Sequence, residues 1–306
     1  MDNSQNASQQ PASADPFVPG EIAERLEAAN VQRANLPIRN LVLLALLGGV
    51  YIGFGAALAT LVATDTTLGY GLGRLASGLA FSLGLIMLVV AGGELFTGNN
   101  LMVLAFASRK VSSQALLRNW GIAYLANAAG AVMLAFAIHL SGIADNAALK
   151  ATVIKIAEAK VQLGVAPAFL RGVLCNILVC LAVWLSVAAR SVEGKAIAIA
   201  LPISAFVALG FEHCIANFYL LPVGMLSGAP VSFSAFISNI VPVTLGNTLG
   251  GVIVATAYYL VFLSSNHVAK GRTSIEHLVP TSRRRDGWAF MGRLARVVRS
   301  GRQPSV

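Results

Sequence analysis

The chain has 306 residues, 56% of them hydrophobic and only 11% charged, with a mean hydropathy of +0.72. This composition lies outside the range of soluble globular domains and puts most of the chain in a bilayer. The net charge of +9 does not indicate nucleic acid, because the basic residues sit at the ends and in short loops between apolar runs, where they act as orientation signals.

In chain order, residues 1–18 are rich in Gln, Asn, Ser, Ala and Pro and lack basic residues, so they read as a disordered leader and not as a signal peptide. From Pro19, Ile22, Leu26, Ala29 and Val31 alternate with Glu21, Glu24, Arg25 and Glu27, the pattern of a short amphipathic helix at a membrane surface. A helix crosses the hydrocarbon layer in about 20 residues. Six all-α spans are therefore predicted near 40–63, 75–108, 116–140, 168–189, 196–240 and 241–264. The second and fifth are too long for one straight helix, so each is expected to break and resume. The pore domain is expected over residues 19–265 and a cytoplasmic tail over 266–306, where Trp288, Met291, Leu294 and Val298 interleave with arginines as a basic helix on anionic headgroups.

Six spans put both termini on one side. If that side is cytoplasmic, only Arg74, Lys150, Lys155, Lys160 and Arg171 of the 22 basic residues lie opposite, as the positive-inside rule requires for an inner or plasma membrane protein. Cys175, Cys180 and Cys214 all fall inside spans. An odd number of buried thiols argues against a disulfide framework, and no His or Cys spacing fits a metal, so neither metal nor cofactor is expected.

The polar cluster Glu212-His213-Cys214-Ile215-Ala216-Asn217 opens a stretch without Lys, Arg, Asp or Glu that runs to Ala269. Ionisable groups at such depth are costly and usually line a pathway. The second span repeats the pattern: Glu94 and Asn99 precede Glu212 and Asn217 by 118 residues, while Asn119, Asn127 and Gly130 recur 120 residues later as Asn239, Asn247 and Gly250. With three spans per half, the copies run oppositely through the bilayer, as inverted repeats. Breaking a helix frees N–H and C=O groups that lipid cannot satisfy. Glu94 and Glu212, with Asn99 and Asn217, are expected to hold the two breaks, the glutamates as acceptors for freed N–H groups in preference to touching substrate. His213 is either a neutral core histidine or a pore residue.

Four segments in order resemble the formate/nitrite transporter family: Gly92–Gly98, Gly172–Trp184, Gly210–Asn217 and Gly246–Gly251. The similarity runs from about Pro16 to about Leu263. It implies an aquaporin-like protomer with broken second and fifth helices, a homopentamer with one pore per subunit, and passage of a small monovalent weak-acid anion with or without a proton. Formate or nitrite come first, with hydrosulfide, acetate or lactate as alternatives. By position the resemblance gives His213 as the pore histidine, Lys160 as the vestibule lysine, Thr97 as the loop threonine and Asn176 as the facing asparagine. It gives Phe81, Leu85, Leu95, Phe96, Val179 and Phe206 as hydrophobic constrictions, although each aromatic ring by itself fits ordinary packing. Glu94 departs from the Asp of some formate channels, and Arg171 is a feature of nitrite-type relatives. A neutral-solute pore of aquaporin type would carry paired Asn-Pro-Ala turns, which this chain lacks. An enzyme would need a catalytic partner for His213, and none is evident.

Overall fold

The computed structural model describes residues 15–65 and 67–264. Residues 1–14 of the expected leader and the whole expected tail lie outside the described residues. The remainder of the leader is held in place: Phe17 N donates to Ala188 O at 3.0 Å, and its ring lies between the guanidinium groups of Arg25 and Arg190, 3.5 and 4.0 Å from the centroid. Helix α1 (Pro19–Ala34) then starts on a proline whose missing N–H costs nothing at the first helical position.

Among the described residues six helices are long and apolar enough to cross a membrane. They are α2 (Ile38–Val62), α3 (Gly69–Val90), α6 (Ser113–Leu140), α8 (Val165–Ala188), α9 (Val192–Leu209) and α11 (Phe233–Tyr258), the last extended by a π turn at Tyr259–Leu263. After α3 the chain breaks and resumes as α4 (Phe96–Asn99) and α5 (Val103–Ala107), joined by a 3₁₀ turn; after α9 it resumes as α10 (Cys214–Leu226). Leucines such as Leu47, Leu58, Leu79, Leu125, Leu201 and Leu249 point outward. An apolar exterior on this scale suits lipid and not water, and the protein is a multi-pass membrane protein.

One boundary differs from the sequence expectation. The fifth and sixth spans part at residues 227–232 and not at 240, because Gly228 takes φ +102, Pro230 follows, and Ser232 caps α11 by accepting from Ala235 N at 3.2 Å. This turn carries no charge, so a reading that looks for charged loops passes over it.

A helix that the sequence reading did not separate, α7 (Ala147–Val161), completes the duplication. It precedes α8 as α1 precedes α2, and it packs on α10 as α1 packs on the α4–α5 segment. Each repeat therefore contains a short helix, a span, a broken span and a closing span. The pairs α2–α6 and α8–α11 are equivalent, as are α2–α3 and α8–α9.

Small residues allow the close crossings. A Cβ on Gly130 would stand 2.1 Å from Leu46 O, and one on Gly250, its repeat equivalent, 2.3 Å from Val173 O. Gly130→Ala and Gly250→Ala are each expected to destabilise the protein by about 1–3 kcal/mol through forced separation of backbones. Gly121→Ala, which meets nothing within 4 Å, is expected to leave stability unchanged or improved. Thermal unfolding of the three purified variants in detergent checks the contrast.

Candidate functional site

Both breaks turn on a glycine in the left-handed region, Gly92 with φ +95 and Gly210 with φ +76, followed by a few extended residues and a new helix start. The backbone groups freed there are satisfied twice in the same way. Phe96 N, at the start of α4, donates to Asn127 Oδ1 at 2.8 Å, and Asn127 Nδ2 donates to Ala45 O and Glu94 O at 2.6 and 2.8 Å. Cys214 N, at the start of α10, donates to Asn247 Oδ1 at 2.8 Å, and Asn247 Nδ2 donates to Gly172 O and Glu212 O at 2.8 and 2.9 Å. Glu94 N and Glu212 N donate to Leu44 O and Arg171 O.

The freed N–H groups are thus taken by asparagines of the closing spans and by carbonyls, and not by the glutamate side chains as expected. A side-chain amide suits this task because it accepts and donates at once. The glutamates do a different job. Glu94 Oε2 accepts from Asn99 Nδ2 at 2.7 Å, Asn99 also donates to Asn119 Oδ1 at 2.8 Å, and Arg33 Nε stands 3.3 Å from Glu94 Oε1. Glu212 Oε2 accepts from Asn217 Nδ2 at 2.7 Å, Asn217 also donates to Asn239 Oδ1 at 2.8 Å, and Lys160 Nζ donates to both Glu212 oxygens at 3.0 Å. Each buried carboxylate meets one cation from the short helix of its own repeat, which offsets the cost of its burial.

The two broken helices meet where the repeats differ. By the 118-residue offset His213 is equivalent to Leu95, and Thr97 to Ile215. His213 Nε2 lies 3.1 Å from Thr97 Oγ1, and its Nδ1 accepts from Ala216 N at 3.2 Å as the cap of α10. Since Nδ1 accepts, the proton of the neutral ring sits on Nε2 and is donated to Thr97 Oγ1. Both side chains are buried.

All six expected constriction residues, Phe81, Leu85, Leu95, Phe96, Val179 and Phe206, are buried in one apolar cluster around this contact. Phe81 and Phe206 meet edge to face at 5.3 Å, and Phe206 lies parallel to His213 at 6.1 Å. Asn176 is fully buried, and its Nδ2 is shared among Thr97 O, Asn100 Oδ1 and Asn247 O, so it braces the loop around Thr97. A cleft of about 310 Å³ reaches His213 from one face and is lined by Arg74, Phe81, Lys160, Arg171, Phe206 and Glu212 among others. Thr97, Asn176, Leu85, Leu95, Phe96 and Val179 lie outside its lining. The sequence reading missed the roles of Asn127 and Asn247 as helix-start acceptors, although their spacing within the repeat pointed to them, and it gave Arg74 no place at the site.

Two oppositely oriented repeats with broken helices meeting at a polar contact define a membrane protein of the channel and transporter class. The chain belongs to the formate/nitrite transporter family, whose model matches residues 20–261. It is 38% identical over 248 residues to the uncharacterized transporter YrhG of Bacillus subtilis, covering 80% of this chain and 93% of that protein. It is 35% identical over 275 residues to the formate channel FocA of Escherichia coli K12, covering 82% and 96%. Among solved structures it resembles a pentameric formate channel with formate bound (TM-score 0.68, 38% identity, 74% of this chain and 98% of that one). It also resembles an ion channel of the same family (TM-score 0.72, 26% identity, 78% and 98%).

The ion pair at the cleft makes a stability prediction. Glu212→Ala leaves Lys160 half-buried without its carboxylate and is expected to cost about 3 kcal/mol. Adding Lys160→Met to that variant is expected to recover part of the loss, which unfolding in detergent measures.

Proposed function

We propose that the protein passes formate, and small monovalent weak-acid anions of similar size such as nitrite, through a pore within each protomer of a homopentamer, with both termini in the cytoplasm. The observation that carries this reading is the His213–Thr97 contact, a pair of donors at the junction of two broken helices, enclosed by apolar side chains and reached by a cation-lined cleft. Family membership, the FocA relatives and the pentameric neighbour support it.

An anion entering an apolar constriction loses hydration that a neutral acid would not need. Lys150 and Lys155 are exposed, and with Arg171 they raise the local anion concentration at the outer face. Lys160 contributes less to this than its charge implies. Two of its three N–H groups are committed to Glu212, which leaves at most one for a passing anion.

Beyond the Phe81–Phe206 pair, an anion that displaces Thr97 receives the Nε2–H of a neutral His213. For His213 to give up a proton, its ring must first gain one at Nδ1 and release Ala216 N–H, because two donors cannot face each other. Ring protonation is therefore coupled to loosening of the α10 start, and this links conduction to pH. Thr97 and Asn176 keep the loop in register with the histidine, and the remaining constriction residues exclude water on either side.

Uptake of formate, nitrite, hydrosulfide, acetate and lactate into proteoliposomes at two pH values tests the substrate class, and uptake of none of them would sink it. His213→Asn keeps a side-chain acceptor for Ala216 N–H but cannot titrate. After correction for substrate protonation, wild-type flux is expected to retain a pH dependence that the variant lacks. Coincident corrected profiles would make His213 a structural cap.

A further inference from the structure

Tyr124 on α6 and Thr244 on α11 hold equivalent places in the two repeats, 120 residues apart, and they bond to each other: Tyr124 Oη lies 3.0 Å from Thr244 Oγ1. A residue meets its own copy only beside the axis that relates the copies, so this contact marks the centre of the duplication. Among the described residues no other hydrogen bond joins α6 to α11.

Each partner also reaches a re-entrant helix. Tyr124 lies one turn before Asn127 and Thr244 one turn before Asn247, so each shares a helix face with the asparagine that closes the break of its own repeat. The Tyr124 ring stands edge to face with Phe96, the first residue of α4, at 5.0 Å, and with Phe218 of α10 at 5.5 Å. The Thr244 hydroxyl is hydrogen-bonded to the side chain of Cys214, the first residue of α10. A hydroxyl donates and accepts at once, which lets it serve Tyr124 and Cys214 together. Phe96 precedes Thr97, and Cys214 follows His213. A closed circuit results, running from Thr97 through Phe96, Tyr124, Thr244 and Cys214 to His213 and back across the 3.1 Å contact.

Within this circuit Asn127 and Asn247 fix each helix start only to its own repeat. The Tyr124–Thr244 bond fixes the two repeats to each other beside the pore contact. An anion that parts Thr97 from His213 opens one side of the circuit, while the other side stays closed.

We propose that Tyr124 and Thr244 are positioning residues. Their hydrogen bond holds the starts of α4 and α10 at the separation that lets His213 and Thr97 meet, and it returns the two to contact after each anion has passed. Neither side chain touches the anion in this role. The inference rests on the anion-transport reading and adds to it two residues that do not line the cleft.

The test compares three conservative changes in the full-length protein. Tyr124→Phe keeps the ring against Phe96 and loses the hydroxyl, Thr244→Val keeps the shape and loses the hydroxyl, and Thr244→Ser keeps the hydroxyl. Formate uptake into proteoliposomes is measured over a concentration series and normalised to folded protein. Tyr124→Phe and Thr244→Val are each expected to lower maximal flux about three- to tenfold and to leave the half-saturating concentration within about twofold, because capture at the outer face is untouched. Since both changes remove the same bond, the double variant is expected to be no slower than Thr244→Val, and Thr244→Ser is expected to match wild type. A bond that served stability alone would lower the unfolding temperature and leave flux per folded protein unchanged. That result in both single variants, losses that multiply in the double variant, or a serine variant as slow as the valine one overturns the positioning role alone. If Tyr124→Phe does not fold, the contrast between Thr244→Val and Thr244→Ser decides by itself. Wild-type protein that takes up no formate overturns the transport reading together with the positioning role.

Discussion

Everything in this fold depends on the rule that a backbone N–H or C=O freed inside a bilayer must find a protein partner. Two helices are broken at membrane depth, and each break is closed by one asparagine that accepts from the new helix start and donates to two carbonyls, Asn127 in the first repeat and Asn247 in the second. The rest of the architecture brings these asparagines to the breaks. Closing spans α6 and α11 carry them, and glycines at Gly130 and Gly250 let those spans approach α2 and α8 closely enough to reach.

Once the breaks are satisfied, the charges fall into a second layer. Glu94 and Glu212 take one asparagine each and one cation each, Arg33 from α1 and Lys160 from α7. The short helices are thus fastened by polar contacts as well as by apolar faces. Asn30 on α1 also donates to Leu101 O, and Lys110 pairs with Glu27, so α1 is tied to the polypeptide and does more than rest on lipid headgroups.

Chemistry sits where the two halves stop matching. In a perfect duplication the centre would carry Leu95 and its copy, or Thr97 and its copy. Instead one half contributes Thr97 and the other His213, and the two meet 3.1 Å apart inside an apolar shell. The faces of the protein are unequal in the same way, since Arg74 and Arg171 add cations to the cleft on the His213 side. A symmetric scaffold supplies rigidity, and a few unsymmetric side chains give it direction.

The sequence alone determined the membrane class, the spans, the two breaks and the offset of the repeat, because hydropathy over about 20 residues and the Glu-x4-Asn pattern are properties of short segments. Its four ordered motifs also carried the family resemblance. Only the tertiary structure decided that Asn127 and Asn247 close the breaks, that Lys160 is bonded to Glu212, that α7 is the partner of α1, and that Arg74 joins the cleft. These contacts join residues far apart in the chain, 116 positions in the case of Thr97 and His213, and no local period encodes such distances. The turn at 227–232 was missed for the complementary reason. It consists of small and apolar residues, so only its backbone geometry marks it.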